Sequence, residues 1–120
     1  MSPVTHTPDP GFDAEDLLDR MMGSEVLARR VVAAFLADTP LQLTALASAL
    51  ERASSQDARL IAHSLKGSAA NVGGQQLSRV AAHVEKLGEA GDLAAVRQML
   101  PTLTASFDAL APVLGEFCQQ

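Results

Sequence analysis

Residues 77–87 read Leu-Ser-Arg-Val-Ala-Ala-His-Val-Glu-Lys-Leu, and Leu77, Val80, Ala81, Val84 and Leu87 recur at i, i+3, i+4 and i+7 or their continuation. That spacing lays the apolar side chains along one face of an α-helix, whereas a half-buried strand would alternate. Gly91 and Asp92 then end this helix and open the next. In that next helix Leu93, Val96, Leu100, Leu103, Phe107, Leu110, Leu114 and Phe117 repeat in steps of three and four, the seam of a helical bundle. Pro101 and Pro112 are expected to bend or split it. Upstream, a helix begins after Ser54, which stands three residues before Asp57 in a capping-box-like pair, and finishes at Gly73 and Gly74. Before it, a helix from Ser24 runs through Val31, Val32, Phe35 and Leu36 to Leu43, Leu46 and Leu50, with a kink or break expected at Pro40. A short first helix has Asp13 as its N-cap and Asp16 at its third position, and ends near Gly23. No segment alternates as a strand would. The expected fold is all-α: an antiparallel up-and-down four-helix bundle with a short additional N-terminal helix.

With 120 residues the chain holds one domain, expected over residues 12–118. Residues 1–11, with three prolines and His6, read as a flexible tail in which His6 has no role. Apolar residues make up 48% of the chain but aromatics only 3%, all of them Phe, so the core must be aliphatic, as stacked helices allow. The length excludes a (β/α)8 barrel and a dinucleotide-binding doubly wound sheet. A net charge of −5 with scattered basic residues, and no Trp or Tyr for stacking, argues against nucleic-acid binding. The single Cys118 excludes an internal disulfide framework and suits a reducing compartment. The longest uninterrupted apolar run, Val31 to Ala37, is far shorter than the roughly 20 residues of a membrane span, and the N-terminus lacks the pattern of a signal peptide. The expectation is a cytoplasmic monomer.

On a wheel of the third helix, at about 100° per residue, Ala58, Ile61, Leu65, Ala69 and Val72 share an arc of roughly 80°. His63 points almost directly away from it. Arg59 and Ala70 share the outer face, with Lys66 and Gly67 flanking. A surface His with Lys at i+3 is by itself ordinary helix decoration. Gly67 is not, because an interior helix Gly costs about 1 kcal/mol relative to Ala and nothing local needs it as a cap. A glycine that bares the flank of an exposed His makes sense if something large must approach the ring. Two nearby cations would oppose protonation of the imidazole and would compensate a phosphoryl group attached to it.

The string Ala62-His63-Ser64-Leu65-Lys66-Gly67-Ser68-Ala69-Ala70-Asn71-Val72-Gly73 resembles the signature of histidine-containing phosphotransfer (HPt) domains of two-component phosphorelays, His-x-Leu-Lys-Gly followed by a helix-ending Gly. Leu17-Leu18-Asp19-Arg20 with Gly23, Phe35-Leu36-Ala37-Asp38-Thr39-Pro40 and Leu87-Gly88-Glu89-Ala90-Gly91-Asp92 resemble the family's flanking segments, so the likeness spans about residues 12 to 118. It implies a phosphorelay intermediate in signal transduction. The His accepts a phosphoryl group from the aspartyl phosphate of one receiver domain and passes it to an Asp of another. On that resemblance His63 is the phosphoacceptor, Lys66 pairs with the phosphoryl oxygens, and Gly67 leaves room for the receiver. Arg59, Ser64, Ala70 and Glu85 are candidates for partner contact. The implied partners are receiver domains of response regulators or hybrid sensor kinases, which supply Mg²⁺ and the acidic pocket, so the chain is a relay rather than an enzyme and binds no cofactor itself. Two other readings keep the same fold: a non-phosphorylated helical adaptor, and the phosphotransfer module of a chemotaxis-type histidine kinase.

Folding the hairpin at Gly73 and Gly74 brings Val84 and Glu85 roughly level with His63. Glu85 then either accepts a hydrogen bond from Nδ1–H and presents Nε2 for attack, or merely faces water. Lys66-Gly67-Ser68 is not a phosphate-binding loop, having the letters in the wrong order and lying within a helix. His63, His83 and Cys118 lack metal-ligand spacing, and His83 reads as a boundary residue beside its apolar stripe. No Ser-His-Asp or paired-carboxylate arrangement can be argued.

Overall fold

The computed structural model describes residues 11–119. The expected tail, His6 included, lies outside them but for Gly11. Five helices follow in order: α1 Ala14–Arg20, α2 Glu25–Glu51, α3 Ser55–Asn71, α4 Gln75–Glu89 and α5 Leu93–Cys118. Helices α2 to α5 form the antiparallel bundle and α1 is the short addition.

Local chemistry sets the helix ends. Asp13, Ser24, Ser54 and Asp92 each accept a hydrogen bond from the backbone N–H three residues on, at 3.0–3.2 Å, satisfying donors that the first turn leaves without a partner. At the other ends the chain turns through positive φ, at Met22 and Gly23 after α1, Ala53 after α2 and Gly73 after α3. Gly73 is the demanding position: a Cβ there would collide with the Asp13 carbonyl. Around this turn the N-terminal segment is clasped to the hairpin. Asp13 N–H donates to Gly73 O and Gln75 N–H to Gly11 O, both at 2.9 Å. The Phe12 ring meets Phe117 edge-on at 6.0 Å.

The core is aliphatic. Leu17, Leu46, Leu65, Leu77, Leu103, Leu110 and Leu114 are fully buried, with Val32, Val72, Val84 and Val96. In α3 the buried face takes Ala62 where the wheel expected Ile61, which is only half-buried. The buried arc thus turns about 20° around the helix. Helix α2 is 27 residues long and, by length and mean hydropathy, apolar enough to cross a membrane. Here it buries Ala28, Val32, Phe35, Leu46, Ala49 and Leu50 against the other helices.

Of the two outcomes expected at the prolines, a bend or a break, none of the three breaks its helix: Pro40 lies within α2, and Pro101 and Pro112 within α5. All three are exposed. The carbonyl deprived of its donor lies four residues earlier on the same face, where water can reach it. Beside Pro40, the buried Thr39 hydroxyl donates to Phe35 O at 2.7 Å and adds a bond to that turn.

Candidate functional site

Helix α3 packs most closely on α4. The register is fixed at three levels: the Arg59 backbone lies under Gly88, His63 stands opposite Glu85, and Ser78 Oγ donates to Lys66 O at 3.0 Å. A Cβ on Gly88 would come within 3.1 Å of both Arg59 N and Cα. This glycine therefore lets two backbones approach and brings side chains of α4 within reach of the outer face of α3.

The central contact joins three charged or titratable groups. Glu85 Oε2 lies 2.8 Å from His63 Nδ1, and its Oε1 lies 2.7 Å from Lys66 Nζ. The hydrogen bonds from Lys66 and, second, from His63 hold the Glu85 carboxyl below the usual carboxylate range, against a smaller opposing effect of desolvation. It is therefore ionised at neutral pH and has no proton to donate. The 2.8 Å contact must be Nδ1–H donating to the carboxylate, which leaves Nε2 with the ring's lone pair when the imidazole is neutral. The Glu85 side chain is 13% exposed and the His63 side chain 62%. An anchored anion thus holds a ring whose other nitrogen faces outward. No hydrogen bond to Nε2 forms among the described residues.

One α-helical turn beyond His63, nothing lies within 4 Å of where a Gly67 Cβ would be. Ser64 is exposed and accepts a hydrogen bond from Gln42 Nε2 of α2 at 3.2 Å. Beside this contact, a cleft of about 220 Å³ runs between α2 and α3, floored by Phe35 and Val72 and edged by Asp38, Gln42 and Asn71. Arg59 and Ala70, expected on the outer face with His63, are half-buried. The wheel set two cations around the ring. The structure sets a carboxylate against it instead, and Lys66 reaches that carboxylate. His83, expected at a boundary, is exposed. Among the described residues no three His, Cys, Asp or Glu side chains are grouped to hold a metal ion.

Sequence reasoning missed Gln42, Ser78 and Gly88 as parts of this site. Gly88 carried the same signal as Gly67, a glycine inside a helix. Gln42 and Ser78 carried none, since their roles depend on which helix faces which. Leu60, three residues before His63, and Leu41, next to Gln42, are large apolar side chains left exposed.

The chain matches a family model described as Hpt domain over residues 30–112, more than half its length. Its fold is similar to the crystal structure of histidine-containing phosphotransfer protein B (HptB) from Pseudomonas aeruginosa PAO1, with a TM-score of 0.85. The two share 23% sequence identity over 92% of this chain and 96% of that one. Among curated proteins no match is found.

Proposed function

The chain belongs to the Hpt domain family, whose members are non-enzymatic histidine phosphorelay intermediates that interact with receiver domains, and on that premise we propose that His63 is the residue that carries the phosphoryl group. One observation carries this assignment: His63 combines an exposed ring, a Nδ1–H fixed on an ionised carboxylate and an open flank at Gly67. Nε2 is the attacking atom. Its lone pair forms a bond to phosphorus as the bond from phosphorus to the receiver's aspartyl oxygen breaks, and the aspartate leaves as carboxylate. The protein's contribution is positioning and charge compensation. Glu85 fixes the tautomer, and Lys66 is near enough to turn from Glu85 to the incoming oxygens. Mg²⁺ and the acidic pocket belong to the receiver.

The docking face we assign is the exposed side of α3 around His63, Ser64 and Gly67, with Leu60 and neighbouring surface of α2 and α4. Arg59 and Ala70, half-buried, border it. A small apolar area ringed by polar groups suits a short-lived complex. Receivers of response regulators or hybrid kinases are the partners in this reading, and the domain acts as a monomer in the cytoplasm. Residues 12–118 form the functional unit.

The test is incubation with a phosphorylated receiver and Mg²⁺. Acid-labile, alkali-stable label on the parent chain and none on His63→Gln supports the assignment. Equal labelling of both would place the phosphoryl group elsewhere, and no label from any receiver would favour a non-phosphorylated adaptor.

A further inference from the structure

The hydrogen bond between Glu85 and Nδ1 bears on the fate of the ring once it is phosphorylated, an inference that rests on His63 being the phosphoacceptor. When the Nε2 lone pair bonds to phosphorus, a ring that keeps its Nδ1 proton becomes a cationic phosphoimidazolium. If the phosphoryl group then leaves, to an aspartate or to water, the pair of the P–Nε2 bond returns to Nε2. The ring departs as a neutral imidazole protonated on Nδ1, the same tautomer held by Glu85 before transfer. A ring that has lost the Nδ1 proton would instead depart as an imidazolate and would need a proton from elsewhere. The protonated ring is the better leaving group.

We propose that Glu85 keeps the Nδ1 proton on the ring throughout the transfer cycle, making it a positioning residue that sets how readily phosphohistidine gives up its phosphoryl group. The geometry supplies the cause. A carboxylate oxygen 2.8 Å from Nδ1 stabilises the cationic ring directly, and an opposite charge at this range moves a titration by about 1–3 units.

Few other charges face the ring. On α3 these are Lys66, on the second Glu85 oxygen, and Arg59, one turn earlier, with its backbone under Gly88. Helix α2 sets the uncharged Gln42 amide against Ser64. On α4, Arg79, His83, Lys86 and Glu89 are all exposed. Lys66 opposes the effect and Glu85 produces it, and Glu85 makes the direct contact.

The experiment phosphorylates the whole chain with phosphoramidate, a small donor that needs no receiver. The half-life of the phosphohistidine is then followed from pH 6 to pH 9 in the parent, Glu85→Gln and Lys66→Met, with His63→Gln as the labelling control. Loss of phosphate slows as the ring loses its Nδ1 proton, so each profile has an inflection. The parent inflection should lie at least about one pH unit above that of Glu85→Gln, giving at pH 8 a half-life at least about threefold longer in the variant. Lys66→Met keeps the carboxylate and should keep the high inflection. Nitrogen-15 NMR of the phosphorylated ring at pH 8 should show Nδ1 protonated in the parent and largely deprotonated in Glu85→Gln, a readout that altered packing would not move. Coincident profiles for parent and Glu85→Gln, or a Lys66→Met inflection as low as that of Glu85→Gln, would overturn the proposal while leaving His63 as phosphoacceptor. Label persisting in His63→Gln would overturn the phosphoacceptor assignment and the proposal with it.

Discussion

Replacing Gly67 separates two explanations of that residue: need within the fold and access for a partner. It lies inside α3, and a Cβ added there meets nothing within 4 Å, so no native contact opposes a larger side chain. The helix gains instead, because Ala is favoured over Gly by about 1 kcal/mol in a helix interior and Gln lies close behind Ala. Gly67→Ala should stabilise the domain by about 1 kcal/mol and raise Tm by about 4 °C. Gly67→Gln should recover most of that. Both are measured by circular dichroism in urea and on heating. Transfer should move the other way in Gly67→Gln. The new side chain stands one turn from His63 on the face a receiver must approach, and a displacement of about 1 Å in the transfer geometry costs about 100-fold in rate. A folded, stabilised Gly67→Gln should therefore accept phosphoryl from a receiver at least about 100-fold more slowly than the parent. Phosphoramidate, being small, should still label it. A Gly67→Ala variant less stable than the parent would show that the space is not empty in solution. A Gly67→Gln variant that takes phosphoryl from a receiver at the parent rate would refute the steric account.

Gly88→Val places a branched side chain against the Arg59 backbone, 3.1 Å from a Cβ at that position, and should destabilise the domain by about 1–3 kcal/mol in denaturant titration. Leu65→Ala empties a fully buried position between His63 and Lys66 in sequence; it should cost about 2–5 kcal/mol, and calorimetry should show the fall in Tm. The Asp57 carboxyl is held low chiefly by its hydrogen bond from Arg52, and that of Glu85 chiefly by Lys66. Depressed folded values mean that this stabilisation is complete above the ordinary values of 3.8 and 4.5 and is lost as the pH falls through the lowered ones. Denaturant midpoints taken down this range should fall more steeply for the parent than for Glu85→Gln combined with Asp57→Asn; parallel curves would refute it.

What could be read from the sequence was what depends on near neighbours. Ser24, Ser54, Asp13 and Asp92 act within three residues of themselves, so the helix starts followed from the letters. The level pairing of His63 with Glu85 was also within reach, because only the short turn at Gly73 and Gly74 intervenes. Beyond that, the wheel could place Lys66 beside His63 but could not show it turned to a shared carboxylate, since that depends on the crossing of α3 and α4. The same crossing decides why Gly88 is a glycine and why Ala62 rather than Ile61 is fully buried. At Pro40, Pro101 and Pro112 the local rule left a bend and a break both open, and each helix continues through its proline, which lies on an exposed face.

The turn at Gly73 and Gly74 has a consequence for how such a chain can change over generations. One residue inserted there would rotate α4 by about 100° and shift it by about 1.5 Å relative to α3. Val84 would then move toward the place Glu85 holds, and the imidazole would lose its anion while each helix stayed intact. An insertion in the connection of residues 90–92, at the far end of α4, would leave the pairing of α3 with α4 in register. Length is thus constrained most tightly in a loop that contains no reactive side chain, and a count of residues from His63 to Glu85 is as much a part of the chemistry as either residue.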